Sequence, residues 1–210
     1  MKNLLRTIFL LRRTKSTFLL PVEMIRWRKR NFTGPLPVIW KRSFIRTTGI
    51  PGVVWIETGT YKGETSYFLS RTSKQVITIE PEPTLFRTAK HRLRGESKIT
   101  VLEGTSEDRF KEAIEISGNE INFFLDGHAS GGETYESSTP TPLIYELECI
   151  AQSFIYLKKA IIIVDDVRLS RFTVSQQSGY PNLNYLVKWA NSNNLDWYFE
   201  NDMFVAKYQC

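Results

Sequence analysis

The chain has 210 residues, of which 41% are hydrophobic, 13% aromatic and 24% charged, a composition that excludes disordered, collagen-like and low-complexity proteins and supplies enough apolar material for one large core. No run approaches the ~18 apolar residues of a membrane span. Two cysteines, Cys149 and the final residue Cys210, exclude a secreted disulfide framework and favour a reduced, cytoplasmic setting.

The net charge of +6 conceals an asymmetry: residues 1–50 carry 12 Lys+Arg against the single acid Glu23, or +11, whereas residues 51–210 carry −5. We therefore read residues 1–50 as a basic, helical N-terminal arm and residues 51–210 as the principal domain. In the arm, the apolar run Ile8 to Leu11 is too short for a signal-peptide core and is followed at once by Arg12 and Arg13. Leu4, Leu5, Ile8 and Leu11 recur at helical spacing, and EMIRWRKR from Glu23 to Arg30 predicts a second short helix before the break at Gly34-Pro35 and Pro37. A basic, partly amphipathic segment suits packing on the body, homo-oligomer assembly, acceptor capture or contact with a membrane surface; its motifs carry no chemistry.

From Pro51 onward, short apolar runs alternate with helical stretches, the pattern of βαβ units in a mostly parallel sheet with helices on both faces. Strands are expected at Val53 to Ile56, Val76 to Ile79, Ile99 to Leu102, Ile121 to Leu125 and Ala160 to Val164. Helices are expected over 63–70, 85–94, 109–116, 141–157 and 183–190. Trp197 to Phe199 and Met203 to Ala206, separated by Glu200-Asn201-Asp202, predict a closing antiparallel hairpin, for seven strands in all.

Acids stand at the carboxyl ends of four of these strands: Glu57, Glu80, Asp126 and the pair Asp165-Asp166. In an open α/β sheet that edge is where ligands bind, because loops and helix N-termini converge there. Carboxylates gathered on one edge repel one another unless a cation or a hydroxyl-rich ligand absorbs the charge. After the first strand, ETGTYKGETS places Gly59 and Gly63 where backbone can approach a ligand closely and Glu57 where it can meet a cationic amino group. Glu80 stands where a carboxylate accepts hydrogen bonds from both hydroxyls of a ribose.

The acid-x-Gly-x-x-x-Gly turn resembles the first motif of class I S-adenosylmethionine-dependent methyltransferases, and differs from the G-x-G-x-x-G of dinucleotide binders. FFLDGHASGGET (123–134) with IIIVDDVR (161–168) resembles, more specifically, the Mg2+-dependent macrocin O-methyltransferase type, whose members methylate sugar hydroxyls; the match covers about Val53 to Arg168. The resemblance implies a Rossmann-like methyltransferase fold, S-adenosylmethionine as cofactor, and Mg2+ held by Asp126, Asp165 and Asp166. It assigns cofactor contacts to Glu57, Gly59, Gly63 and Glu80, and adenine contacts to Thr105 and Ser106 of EGTSED, where members often carry an acid in place of the residue near Thr105. A hydroxyl of a small molecule or sugar would be the acceptor, with Asp126 or His128 as the base; His91 lies in a basic helix and reads as surface. The Gly-, Ser- and Thr-rich stretch from Ala129 to Pro142 and QQSGYPNLN from Gln176 to Asn184 read as substrate loops.

Two other functions compete. An RNA or protein methyltransferase of the same fold would use the basic arm as a clamp, but an acidic edge repels a phosphate backbone and leaves Asp165-Asp166 without a role. A non-catalytic binding protein could keep the fold, but would have no need of Glu57, Glu80 and three further acids.

Overall fold

The computed structural model describes residues 22–126, 141–171 and 180–210. A short helix over 22–29 (α1) is followed by α2, Val38–Thr48. The elements then alternate as β1 Val54–Thr58, α3 Glu64–Ser70, β2 Gln75–Glu80, α4 Pro83–Arg92, β3 Ile99–Glu103, α5 Ser106–Glu115, β4 Glu120–Leu125, α6 Leu143–Ser153 and β5 Lys159–Val164. A 3-10 turn at Val167–Arg171, α7 Leu183–Ser192, β6 Asp196–Glu200 and β7 Met203–Gln209 complete the chain.

Seven strands form one sheet in the order β3-β2-β1-β4-β5-β7-β6; the first five are parallel, and β7 is antiparallel to both β5 and β6. This is the predicted architecture, including the hairpin. That hairpin turns on Asn201 and Asp202, both with positive φ, in the two-residue loop set by the Glu200↔Met203 pairing. Asn and Asp are among the residues that tolerate this conformation best.

Strand parity sorts the core into two layers. Val54 and Ile56, Ile77 and Ile79, Ile121, Phe123 and Leu125 face α5, α6 and α7, which contribute Phe110, Leu147 and Trp189. Trp55, Val76, Phe124, Ile161 and Ile163 face the other way, onto Leu69 of α3 and Ile45 of α2. Helix α2 lies within the arm expected to be helical, but beyond the break at Gly34-Pro35 and Pro37, where no separate helix was predicted. Pro37 at its N-cap and Gly49 at its C-cap are ordinary start and stop signals. Its C-terminal end is tied to the sheet by Asn122, a fully buried side chain that accepts from Ile50 N at 2.8 Å and donates to Ile50 O at 2.9 Å.

Helix α5 begins a turn earlier than predicted because Thr105 and Asp108 form a reciprocal capping box. Cys149 is buried and Cys210 exposed, and neither is in a disulfide. Among the described residues, no helix is long and apolar enough to cross a membrane.

Candidate active site at the carboxyl edge of the sheet

In the parallel register Thr58 lies beside Ile79 and Leu125, and Leu125 beside Val164, so that β1, β2, β4 and β5 end together. The four acidic strand ends are therefore neighbours, in the order Glu80, Glu57, Asp126, Asp165. Parity continues through them: Glu57 follows Trp55, Asp126 follows Phe124 and Asp165 follows Ile163, all on the α2–α3 side. The strand order reverses direction between β1 and β4, which is the place where sheets of this kind open a ligand crevice.

The turn after β1 is held tightly. Gly59 N and Thr60 N both donate to Ile79 O, at 3.1 and 3.2 Å, and Gly63 N donates to Thr60 O at 2.8 Å. Gly63 has φ of +71°, and a Cβ there would meet Leu93 Cδ1 at 2.7 Å, so both backbone conformation and space favour glycine. Gly59 also has positive φ. Glu80 organises the same turn from β2: Oε2 accepts from Tyr61 N at 2.7 Å and Oε1 from Glu82 N at 3.1 Å. Each oxygen retains a second lone pair for a ligand hydroxyl. Burial pushes the Glu80 carboxyl up against the lowering effect of those two amides.

Glu57 is almost wholly buried in β1 and accepts from Ser66 Oγ of α3. Burial pushes its carboxyl up to about 7, with the Ser66 hydrogen bond opposing. Thr105 Oγ1 and Ser106 Oγ, the predicted adenine contacts, both have partners within the fold. Thr105 caps α5, accepting from Asp108 N at 3.3 Å, and Ser106 donates to Glu146 Oε1 at 2.6 Å.

Glu146 itself escaped sequence reasoning. It lies in the stripe Leu143, Glu146, Leu147 and Ile150 of α6, where i, i+3, i+4, i+7 spacing puts an acid on a buried face. A charged residue inside an apolar period was the available signal. It is 1% exposed, and burial raises its carboxyl to about 7 although Ser106 works in the opposite direction.

The structure brings Asp126, Asp165 and Asp166 together, with ligand oxygens all within 4.8 Å of one another. Asp166 adopts φ of +55°. Its carboxylate pairs with Arg168, which also pairs with Asp202 from the hairpin turn and donates N–H to Asp202 Oδ1 at 2.9 Å. Tyr180 donates its hydroxyl to Asp165 O at 2.6 Å. Burial and the Asp126 charge push the Asp165 carboxyl up, and Lys41 opposes them.

That lysine comes from α2, inside the segment that composition set apart from chemistry. Its Nζ forms an ion pair with Asp165 Oδ2, lies 3.7 Å from Asp126 Oδ2, and stands 5.8 Å from the centroid of the Phe124 ring. Although burial works against its charge, Asp165 and Asp126 outweigh that cost and hold the ammonium above its ordinary value. Nothing local in the sequence distinguishes Lys41 from the eleven other cations of residues 1–50.

Among the described residues the donor set suits a hard divalent ion: three carboxylates with spacing compatible with one small cation. All three are engaged by cations of the chain, Asp126 and Asp165 by Lys41 and Asp166 by Arg168. His128, the alternative base, residues 129–140 and residues 176–179 lie outside the described residues, as do Leu4, Leu5, Ile8 and Leu11.

No protein-family model matches the sequence, and no curated protein matches it significantly. Solved structures do match. An O-methyltransferase from Bacillus cereus in complex with SAH aligns at 15% identity and a TM-score of 0.55 over 92% of this chain and 90% of that one. A SAH-bound methyltransferase from Podospora anserina aligns at 14% identity and a TM-score of 0.57, covering 93% and 87%. The O-methyltransferase TomG from Streptomyces achromogenes, involved in tomaymycin synthesis and in complex with SAM, aligns at 15% identity and a TM-score of 0.54, covering 87% and 85%. The chain therefore has the Rossmann-like fold of these methyltransferases, with the same antiparallel closure of a parallel sheet.

Proposed function

We propose that this chain is an S-adenosylmethionine-dependent O-methyltransferase that uses a divalent metal ion, by preference Mg2+, to methylate a hydroxyl of a small molecule or sugar. The observation that carries this reading is the meeting of two sets of acids on one sheet edge. Glu57 and Glu80 flank the glycine turn, and Asp126, Asp165 and Asp166 converge within 4.8 Å beside it.

In this reading the Gly59–Gly63 turn and Glu57 receive the amino-acid end of the cofactor, and Glu80 accepts from its ribose. The buried floor made by Ser106 and Glu146 supports the adenine end, with Thr105 capping the adjoining helix. Asp126, Asp165 and Asp166 would hold the metal, which when bound would lower the pKa of an acceptor hydroxyl. Asp126 is the least buried of the three, at 28% side-chain exposure, and is therefore the one placed to take the acceptor's proton. His128 is its alternative. The remaining contribution of the protein is alignment of the hydroxyl with the methyl group, held by a rigid sheet edge.

Calorimetric titration with S-adenosylmethionine, followed by methyl transfer to a panel of hydroxylated acceptors with Mg2+ or with EDTA, tests the reading. Binding with metal-dependent transfer that Asp165→Asn abolishes is expected. Absence of binding heat at millimolar cofactor refutes the cofactor assignment, and transfer that survives both EDTA and Asp165→Asn refutes the metal.

A further inference from the structure

Lys41 is a charged group of the site that the proposed chemistry leaves without a task. It is not a loosely solvated surface cation. Ile45, one turn further along α2 on the same face, is fully buried in the sheet layer, Asn122 ties down the chain at Ile50, and Arg42 donates to Glu64 at 3.0 Å. With the helix so anchored, the Lys41 ammonium lies over the Phe124 ring and on Asp165 and Asp126, where a cation bound by the aspartates would sit.

We propose that the Lys41 ammonium is the resident cation of the Asp126–Asp165–Asp166 cluster, and that a divalent metal ion occupies the three aspartates only by displacing it. The inference rests on the metal reading above and adds a competitor to it. Oxygens lying within 4.8 Å of one another enclose room for one small cation, and an ammonium held on Asp165 would stand within a few ångströms of a doubly charged ion on the same carboxylate. The two cannot share that oxygen cheaply.

Charge favours the exchange. Asp126, Asp165, Asp166 and Asp202 face Lys41 and Arg168, which leaves two negative charges; replacing the ammonium by a divalent ion leaves one. Opposing it is the loss of a buried ion pair. The four-carbon stem of a lysine can swing outward without moving α2, so the exchange needs a rotamer change and no unfolding. Lys41 thus sets the metal concentration at which the site fills and keeps the cluster compensated below it.

The test uses the full chain with Mn2+ as the probe, its free concentration read by electron paramagnetic resonance, in wild type, Lys41→Met and Asp165→Asn. Lys41→Met keeps the apolar stem and should bind Mn2+ roughly tenfold or more tighter than wild type, the scale of two ligands competing for one site. Asp165→Asn should bind it weakly. In the wild-type chain, Mg2+ should also raise acylation of Lys41 severalfold, measured by peptide mass spectrometry against a KCl control of equal ionic strength. This second readout decides the matter if Lys41→Met fails to fold. Equal Mn2+ affinity in wild type and Lys41→Met, or Lys41 acylation insensitive to Mg2+, overturns the displacement while the metal reading stands. Absence of Mn2+ binding in both chains overturns the two together.

Discussion

Replacing Glu146 by Gln tests whether a buried carboxyl beneath the proposed cofactor site limits stability at neutral pH. The side chain is 1% exposed and accepts from Ser106 Oγ at 2.6 Å, a hydrogen bond that the Gln carbonyl oxygen preserves. Burial raises the carboxyl from its ordinary 4.5 to about 7. Below pH 4.5 the group is protonated in both folded and unfolded chains and has no effect. As pH rises through 4.5 the unfolded chain releases its proton while the folded chain retains it, so stability falls until the folded group ionises near pH 7. The full penalty above that pH is about 3 kcal/mol. Glu146→Gln removes it, and the stability difference between variant and wild type should grow by about 3 kcal/mol from pH 4.5 to pH 8. In urea unfolding, that corresponds to a relative midpoint shift on the order of 1 M. Glu57, also raised to about 7 by burial, titrates in both chains and cancels in the comparison. A difference that stays constant across this pH range would show that Glu146 ionises in the folded chain as easily as in water, and would refute the argument from burial.

Two further perturbations follow from the same geometry. Glu80→Ala removes both the ribose acceptor and the anchor of Tyr61 N, and should weaken S-adenosylmethionine binding at least about tenfold by calorimetry with the fold intact; unchanged affinity would place the ribose elsewhere. Asn122→Ala breaks both hydrogen bonds to Ile50 and leaves a small void, and should cost about 2–4 kcal/mol in urea unfolding. If the loss is below about 0.5 kcal/mol, α2 is not fastened to the sheet as described.

The alternation of apolar strands with helical stretches is a local property, and it was sufficient for the parallel sheet, the closing hairpin and the placement of Glu57, Glu80, Asp126 and Asp165 at strand ends. Period-2 parity then sends all four acids to one side of the sheet, since each is an even number of residues from a side chain facing α2 or α3. The glycine turn was legible for a similar reason: Gly63 is favoured by its own backbone angle as well as by Leu93.

Lys41 and Glu146 were not legible in this way. Lys41 reaches Asp165 across 124 positions of sequence, and the contact exists because α2 docks through Ile45 and Asn122, a packing event that charge composition hides. Glu146 meets Ser106 because α5 and α6 share a face of the sheet, and Asp202 meets Arg168 because the hairpin folds back beside β5. Periodicity and turn chemistry act within a few residues and so are written in the chain. The partners of a buried charge are chosen by which elements pack together, and only the tertiary structure decided that a basic helix should end on the acidic edge.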